Sequence, residues 1–214
     1  MKCILMSCMN LDSEFAENEI SKIIKPDMKV VCIPFASDLQ WLLNGDVTEY
    51  KERHYKPFAK YGIKDYNFYI AKVQDNYKWL KRKIDRADIV YFSGGYMENI
   101  MYHLENKYMV RFLRLLKDEK IFIGESAGTL VLEDNYLEVP YIEEHYKDYK
   151  KKPGIGILNR LEVIVHFNPH NELHHKNWET AKMMSAKKDV ICLTDSGIAI
   201  VDNNKVKLLG ECYK

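Results

Sequence analysis

No stretch of this 214-residue chain approaches the ~18 consecutive apolar residues of a membrane-spanning helix. The amino terminus, MKCILMSCMN, is too short an apolar run for a signal sequence, and polar residues follow at once from Asn10 to Glu19. Lys2–Met6 reads instead as a buried first strand. An excess of charge of one sign is missing too. The 32 basic residues against 31 acidic ones leave a net charge of +1, so no field favours nucleic acid or an anionic membrane. The five cysteines, Cys3, Cys8, Cys32, Cys192 and Cys212, are odd in number and form no C-x-x-C pair. Cys3, Cys32 and Cys192 stand inside apolar runs, where a reduced thiol acts as a small hydrophobe. That usage fits a reducing, cytoplasmic compartment. With no internal repeat and no Pro- or Gly-rich linker, one domain over residues 1–214 is expected.

What is present is alternation. Short apolar runs predict strands at Lys2–Met6, Lys29–Pro34, Phe68–Ala71, Ile89–Phe92, Ile121–Ile123, Leu161–His166 and Val190–Leu193. Ile198–Val201 and Val206–Leu209, parted by Asp202-Asn203-Asn204-Lys205, read as a C-terminal β-hairpin, since Asn and Asp tolerate the φ > 0 of tight turns. Helical periodicity fills the gaps: Ser13–Ile24, Asp46–Tyr61, Asp75–Arg86 with Asp75 as N-cap, Glu105–Lys117 and Glu172–Met184. The Lys-rich piece Lys147–Pro153 reads as an exposed loop. Together these predict an α/β fold, a mostly parallel sheet with helices on both faces.

The sharpest chemical signal is Gly124-Glu125-Ser126-Ala127-Gly128, which follows the apolar run Ile121–Ile123 and precedes a helix-compatible stretch. A nucleophile on a tight strand-to-helix turn is held exposed above a sheet, and the N–H groups that follow it face a developing oxyanion. A second glycine turn, Ser93-Gly94-Gly95, closes the run Ile89–Phe92 and offers further N–H groups. A serine needs a base, being un-ionised near neutrality. His166 closes Leu161–Val165 at a strand end, where sites of open α/β sheets form. His54, His103 and His145 lie in polar surroundings and read as surface residues. His170 and His174, four apart, would share one helix face at a spacing that zinc accepts. Glu172 does not stand as in H-E-x-x-H and no further ligand is apparent, so a solvated or substrate-facing helix start is the better account. No metal and no cofactor is expected.

These residues resemble the peptidase E / cyanophycinase family of serine peptidases, especially its aspartyl dipeptidase branch. The matches are Ile33-Pro34-Phe35-Ala36, Phe92-Ser93-Gly94-Gly95, Gly124-Glu125-Ser126-Ala127-Gly128 and His166-Phe167, in the family's order over nearly the whole chain. The resemblance implies a fold like that of class I glutamine amidotransferases, with serine at the elbow. It makes Ser126 the nucleophile, His166 the general base, and the N–H groups of Gly95 and Ala127 the oxyanion hole. For the acid it offers Asp195, on the loop after the strand following the histidine, or Glu138, just ahead of Pro140. Asp195 is favoured because it follows the apolar run Val190–Leu193, whereas Glu133–Tyr149 reads as a mobile surface excursion.

Two departures bear on specificity. The elbow continues to Leu130 where the dipeptidase branch commonly has Asn, and no arginine follows Arg160 to grip an aspartate carboxylate in the bidentate manner. The expected substrate is a small peptide, with weak preference for aspartate. Two alternatives stand beside this. A small α/β-hydrolase esterase shares Gly-x-Ser-x-Gly, but needs more chain after the serine and places its histidine last. A non-catalytic binding or sensor protein of the same fold would keep the architecture without the reaction.

Overall fold

The computed structural model describes residues 1–37, 48–138, 150–185, 188–203 and 205–214, with the backbone alone at 137, 138 and 150. Its centre is a seven-stranded sheet. β1 (Lys2–Met6), β2 (Val30–Ile33), β3 (Phe68–Ile70), β4 (Ile89–Phe92) and β5 (Ile121–Glu125) run parallel in the order β1-β5-β4-β2-β3. The hairpin β10 (Ile198–Asp202) and β11 (Lys205–Leu209) adds to β1 in antiparallel fashion. The fold is therefore the mostly parallel α/β sheet expected, with its hairpin at one edge.

The strands are continuous apolar runs because both of their faces are covered. Successive side chains alternate between faces, and the two cores divide accordingly. Cys3 and Leu5 of β1, Val31 and Ile33 of β2, and Val90 and Phe92 of β4 point to one side. There they meet α3 (Tyr77–Asp85), α4 (Met97–Asn106) and α5 (Met109–Leu115) through Leu80, Ile84, Ile100, Leu104 and Leu113. Ile4, Met6, Val30, Cys32, Ile89 and Tyr91 point the other way. They pack on Ala16 and Ile20 of α1 (Glu14–Ile23) and on Phe58 of α2 (Thr48–Ala59). Each fully buried Leu, Ile or Phe contributes roughly 1.5–3 kcal/mol.

Four sequence-based expectations are corrected. The helix expected over Glu105–Lys117 is two helices, broken where Tyr108 takes φ 55° and its N–H donates to the carbonyl of Glu105. Asn76, whose side chain accepts from the N–H of Trp79, caps α3 in place of Asp75. Asp75 instead accepts from the Tyr69 hydroxyl and the Lys72 N–H. Of the expected loop Lys147–Pro153, the described part Lys150–Pro153 is a strand, β7, antiparallel to β6 (Asn135–Glu138), and 147–149 lie outside the described residues. Glu133, taken as the start of a surface excursion, is fully buried and accepts from the N–H of Val163. Burial pushes its carboxyl well above the usual range against that hydrogen bond.

The histidine strand stands outside the main sheet. β8 (Leu161–Ile164) pairs in parallel with β9 (Asp189–Leu193), and β12 (Cys212–Tyr213) completes a separate three-stranded sheet. α7 (Glu172–Met184) covers it, packing Ala181 and Trp178 against Ile164, Phe167 and Val190.

Candidate active site

The carboxyl ends of β1, β4 and β5 are neighbours, so the residues that follow them share one rim, the usual place for a site in an open α/β sheet. Ser126 follows β5 and opens the one-turn helix α6 (Ala127–Leu130) at φ 50°, ψ −117°. So strained a backbone for a non-glycine residue is held only where its surroundings over-determine it. Here the Ser126 N–H donates to the carbonyl of Met6 at 2.8 Å. Gly128 lets the turn close, since a Cβ at that position would stand 2.1 Å from the carbonyl oxygen of Phe92. The turn after β4 is equally tight. Gly95 sits at φ 136°, where a Cβ would meet the Ala36 carbonyl at 2.2 Å, and the adjoining Tyr96 N–H donates to that same carbonyl.

His166 also adopts a left-handed backbone, φ 54°. Ser7, buried just past β1, ties it to the main sheet by accepting from the His166 N–H at 2.9 Å and donating to the Leu193 carbonyl at 2.8 Å. The Phe167 N–H donates to that carbonyl as well. The imidazole Nε2 thereby lies 2.8 Å from Ser126 Oγ, and Nδ1 lies 2.6 Å from Asp195 Oδ1. A carboxylate only accepts, so Nδ1 is the donor and the neutral ring presents Nε2 to the serine as an acceptor. The loop carrying Asp195 is fixed by Asn10, which donates to the Asp195 carbonyl, and by the Gly197 N–H donating to Thr194.

Gly95, Ser126, Ala127, His166 and Asp195 all line one cavity of about 530 Å³. Its apolar lining is Met97, Leu130, Val163, Ile164 and Val165. Besides Ser126, His166 and Asp195, its polar lining is Asn168, Asn171, Asn177 and His174. Among the described residues no lysine or arginine lines it. Of the six residues that the sequence offers as nucleophile, base, acid or oxyanion hole, five are thus brought together, and Glu138 is not among them. Glu138 ends β6 opposite Lys150, and its side chain lies outside the described residues.

The histidines need correction. His170 precedes the N-cap Asn171, so it does not share a helix face with His174. His174 Nδ1 accepts instead from the Asn168 N–H. His54 and His103 are buried, not surface residues; His145 lies outside the described residues. His54 Nδ1 is 2.8 Å from the Tyr91 hydroxyl, which donates to the buried carboxylate of Glu125, the neighbour of Ser126. The signal was available: Tyr50, His54 and Phe58 recur every fourth residue along one helix face. Two further residues, Ser7 and Cys8, were missed although both follow a strand end beside β5. Burial, with the Asp195 carboxylate beside it, pushes the Cys8 thiol up to about 11.

Burial and then the positive charge of Arg53 lower His54 from 6.5 to about 4. Between those values the unfolded chain binds a proton that the fold refuses. Stability is therefore present above about pH 6.5 and is lost as pH falls toward about 4, by roughly 3 kcal/mol in full. His54→Gln should flatten that slope, measured by denaturant unfolding in steps from about pH 7 to about pH 4. An unchanged slope would show that other groups carry the dependence.

Comparison with known proteins agrees with the fold. The chain is similar to a candidate peptidase E from Listeria monocytogenes EGD-e, with TM-score 0.70 and 17% identity over 97% of this chain and 96% of that one. It is also similar to a peptidase from an acI-B1 Actinobacterium, with TM-score 0.59 and 15% identity over 98% and 87%. No curated protein sequence matches the chain. The sequence model of peptidase family S51 matches residues 4–209, a span from within β1 to the end of β11 that takes in both glycine turns and His166. The chain belongs to peptidase family S51.

Proposed function

We propose that this S51 peptidase is a serine-type enzyme that cleaves short peptides in the manner of a dipeptidase. The observation that carries the proposal is the hydrogen-bonded line from Ser126 Oγ through His166 to Asp195, at 2.8 and 2.6 Å. In this mechanism Ser126 Oγ attacks the scissile carbonyl carbon as its proton passes to His166 Nε2. The N–H groups of Gly95 and Ala127 receive the oxyanion of the tetrahedral intermediate. His166 then returns the proton to the departing amine, and water repeats the sequence on the acyl-enzyme. Asp195 touches no reacting atom; it fixes the ring's tautomer and stabilises the imidazolium.

The cavity supports a small substrate. Its asparagines suit backbone amides and neutral side chains, and among the described residues no guanidinium lines it to hold an aspartate carboxylate. Five unpaired thiols suit a reducing cytoplasm, where we place the protein. A panel of dipeptides and aminoacyl-nitroanilides, assayed with wild type and Ser126→Ala side by side, tests the reading. Cleavage by wild type alone is expected, with weak preference for Asp-X over Ala-X. A preference on the order of a hundredfold would show that histidine, asparagine or backbone groups hold the carboxylate, and efficient cleavage of casein would contradict the small-substrate reading. A serine–histidine pair needs no Lewis acid, so EDTA at neutral pH should not lower turnover. Loss of turnover in EDTA, restored by zinc, would move the chemistry to a metal.

A further inference from the structure

Beside His166 and Asp195 stands a thiol to which the proposed reaction gives no step. Cys8 stands two residues beyond β1, half-buried, and its Sγ, one ring nitrogen of His166 and one carboxylate oxygen of Asp195 all lie within 4.8 Å of one another. The three come from different loops, after β1, β8 and β9. Ser7 beside Cys8 is tied to both His166 and Leu193, and Asn10 is tied to Asp195. Hydrogen bonds between the Ser7 and Asn10 side chains and the backbone of the two other loops thus hold the three loops against one another. Zinc bonds of about 2.0–2.3 Å place the donors of a tetrahedron about 3.3–3.7 Å apart, so the sulfur has to close by about one ångström at most, and Nδ1 and Oδ1, now 2.6 Å apart, have to open by less than one where Nδ1 is the donor. The Asp195 and His166 side chains are 71% and 36% exposed, which gives an ion entry and leaves the fourth corner to water.

We propose that Cys8, His166 and Asp195 form an inhibitory site for a thiophilic divalent cation such as zinc or cadmium. The thiol gives its proton to solvent and binds as thiolate, the carboxylate binds as it is, and the neutral imidazole binds through whichever ring nitrogen carries no proton, Nε2 in the resting tautomer or Nδ1 after its proton has moved to Nε2. The inhibition follows from the ring and rests on the reading of His166 as base. If the metal sits on Nδ1, the neutral ring carries its proton on Nε2 and takes none from Ser126. If it sits on Nε2, that lone pair is already used. Magnesium and calcium, which prefer sets of oxygen donors, do not fill the site.

Two measurements separate this inference from the peptidase reading. The first needs no activity: Ser126→Ala keeps all three donors, and titration with Co²⁺ should give a thiolate-to-cobalt charge-transfer band in the near ultraviolet. Cys8→Ala and Cys8→Ser should lack it. No band in Ser126→Ala, or an equal band in folded Cys8 variants, overturns the site whatever the enzyme hydrolyses. The second is zinc inhibition of peptide cleavage, reversed by EDTA. Cys8→Ala, with basal turnover retained, should raise the half-inhibiting zinc concentration by about tenfold or more. An unchanged value would show that zinc inhibits elsewhere and overturn the proposal. Failure of peptide cleavage itself would remove the second measurement and leave the first standing as the test of the site.

Discussion

Ser126→Ala should lower kcat by about four to six orders of magnitude and leave the fold intact. The hydroxyl's partner is Nε2 of His166, while the elbow is held by backbone: the Ser126 N–H on Met6, and the Ser126 carbonyl accepting from Thr129 and Leu130. Alanine keeps all of these and meets the same φ of 50°, so the thermal midpoint should barely move. What vanishes is the hydroxyl that forms the acyl intermediate in the proposed mechanism. The residual rate over water would come from the two backbone N–H groups and from binding. A variant that kept more than about a tenth of wild-type turnover would remove the serine mechanism.

Asp195→Asn is the second large effect, about a thousandfold or more in kcat with modest change in KM. The carboxylate accepts from Nδ1 at 2.6 Å. An amide there can turn its NH₂ toward Nδ1, which makes Nδ1 the acceptor, moves the ring proton to Nε2 and leaves Ser126 without a base. A purely structural role would lower stability and KM-dependent binding together, so the split between kcat and KM is the informative readout. Glu138→Gln should act mainly through KM. The reverse pattern, with Asp195→Asn close to wild type, would move the acid to Glu138.

The same contrast shows what a sequence discloses. β1, β2, β4 and β5 were legible because strands covered on both faces carry continuous apolar runs, such as Ile89-Val90-Tyr91-Phe92. The elbow was legible because its chemistry needs small residues within five consecutive positions. The break at Tyr108 was not, since the apolar period continues through it from α4 into α5, and a single left-handed residue leaves that period unmarked. Nor was the β6–β7 pair, whose strand Lys150-Lys151-Lys152-Pro153 has neither alternation nor β-branched residues. That β8 and β9 stand outside the main sheet, in a three-stranded sheet with β12, depends on which edges pair, and identical apolar runs serve either arrangement. Cys8 and Ser7 were hidden for a further reason: each matters through residues more than 150 positions away, and nothing local marks that proximity.

The central claim is that Ser126 is a nucleophile activated by His166, and covalent capture tests it most directly. Incubation with a fluorophosphonate followed by mass spectrometry of the digested protein should find one phosphonyl adduct, on the peptide containing Ser126. The adduct should be absent in Ser126→Ala and should form far more slowly in His166→Ala, because the hydroxyl then has no base to take its proton. Absence of an adduct in the wild type, or labelling at the same rate without His166, would contradict the account.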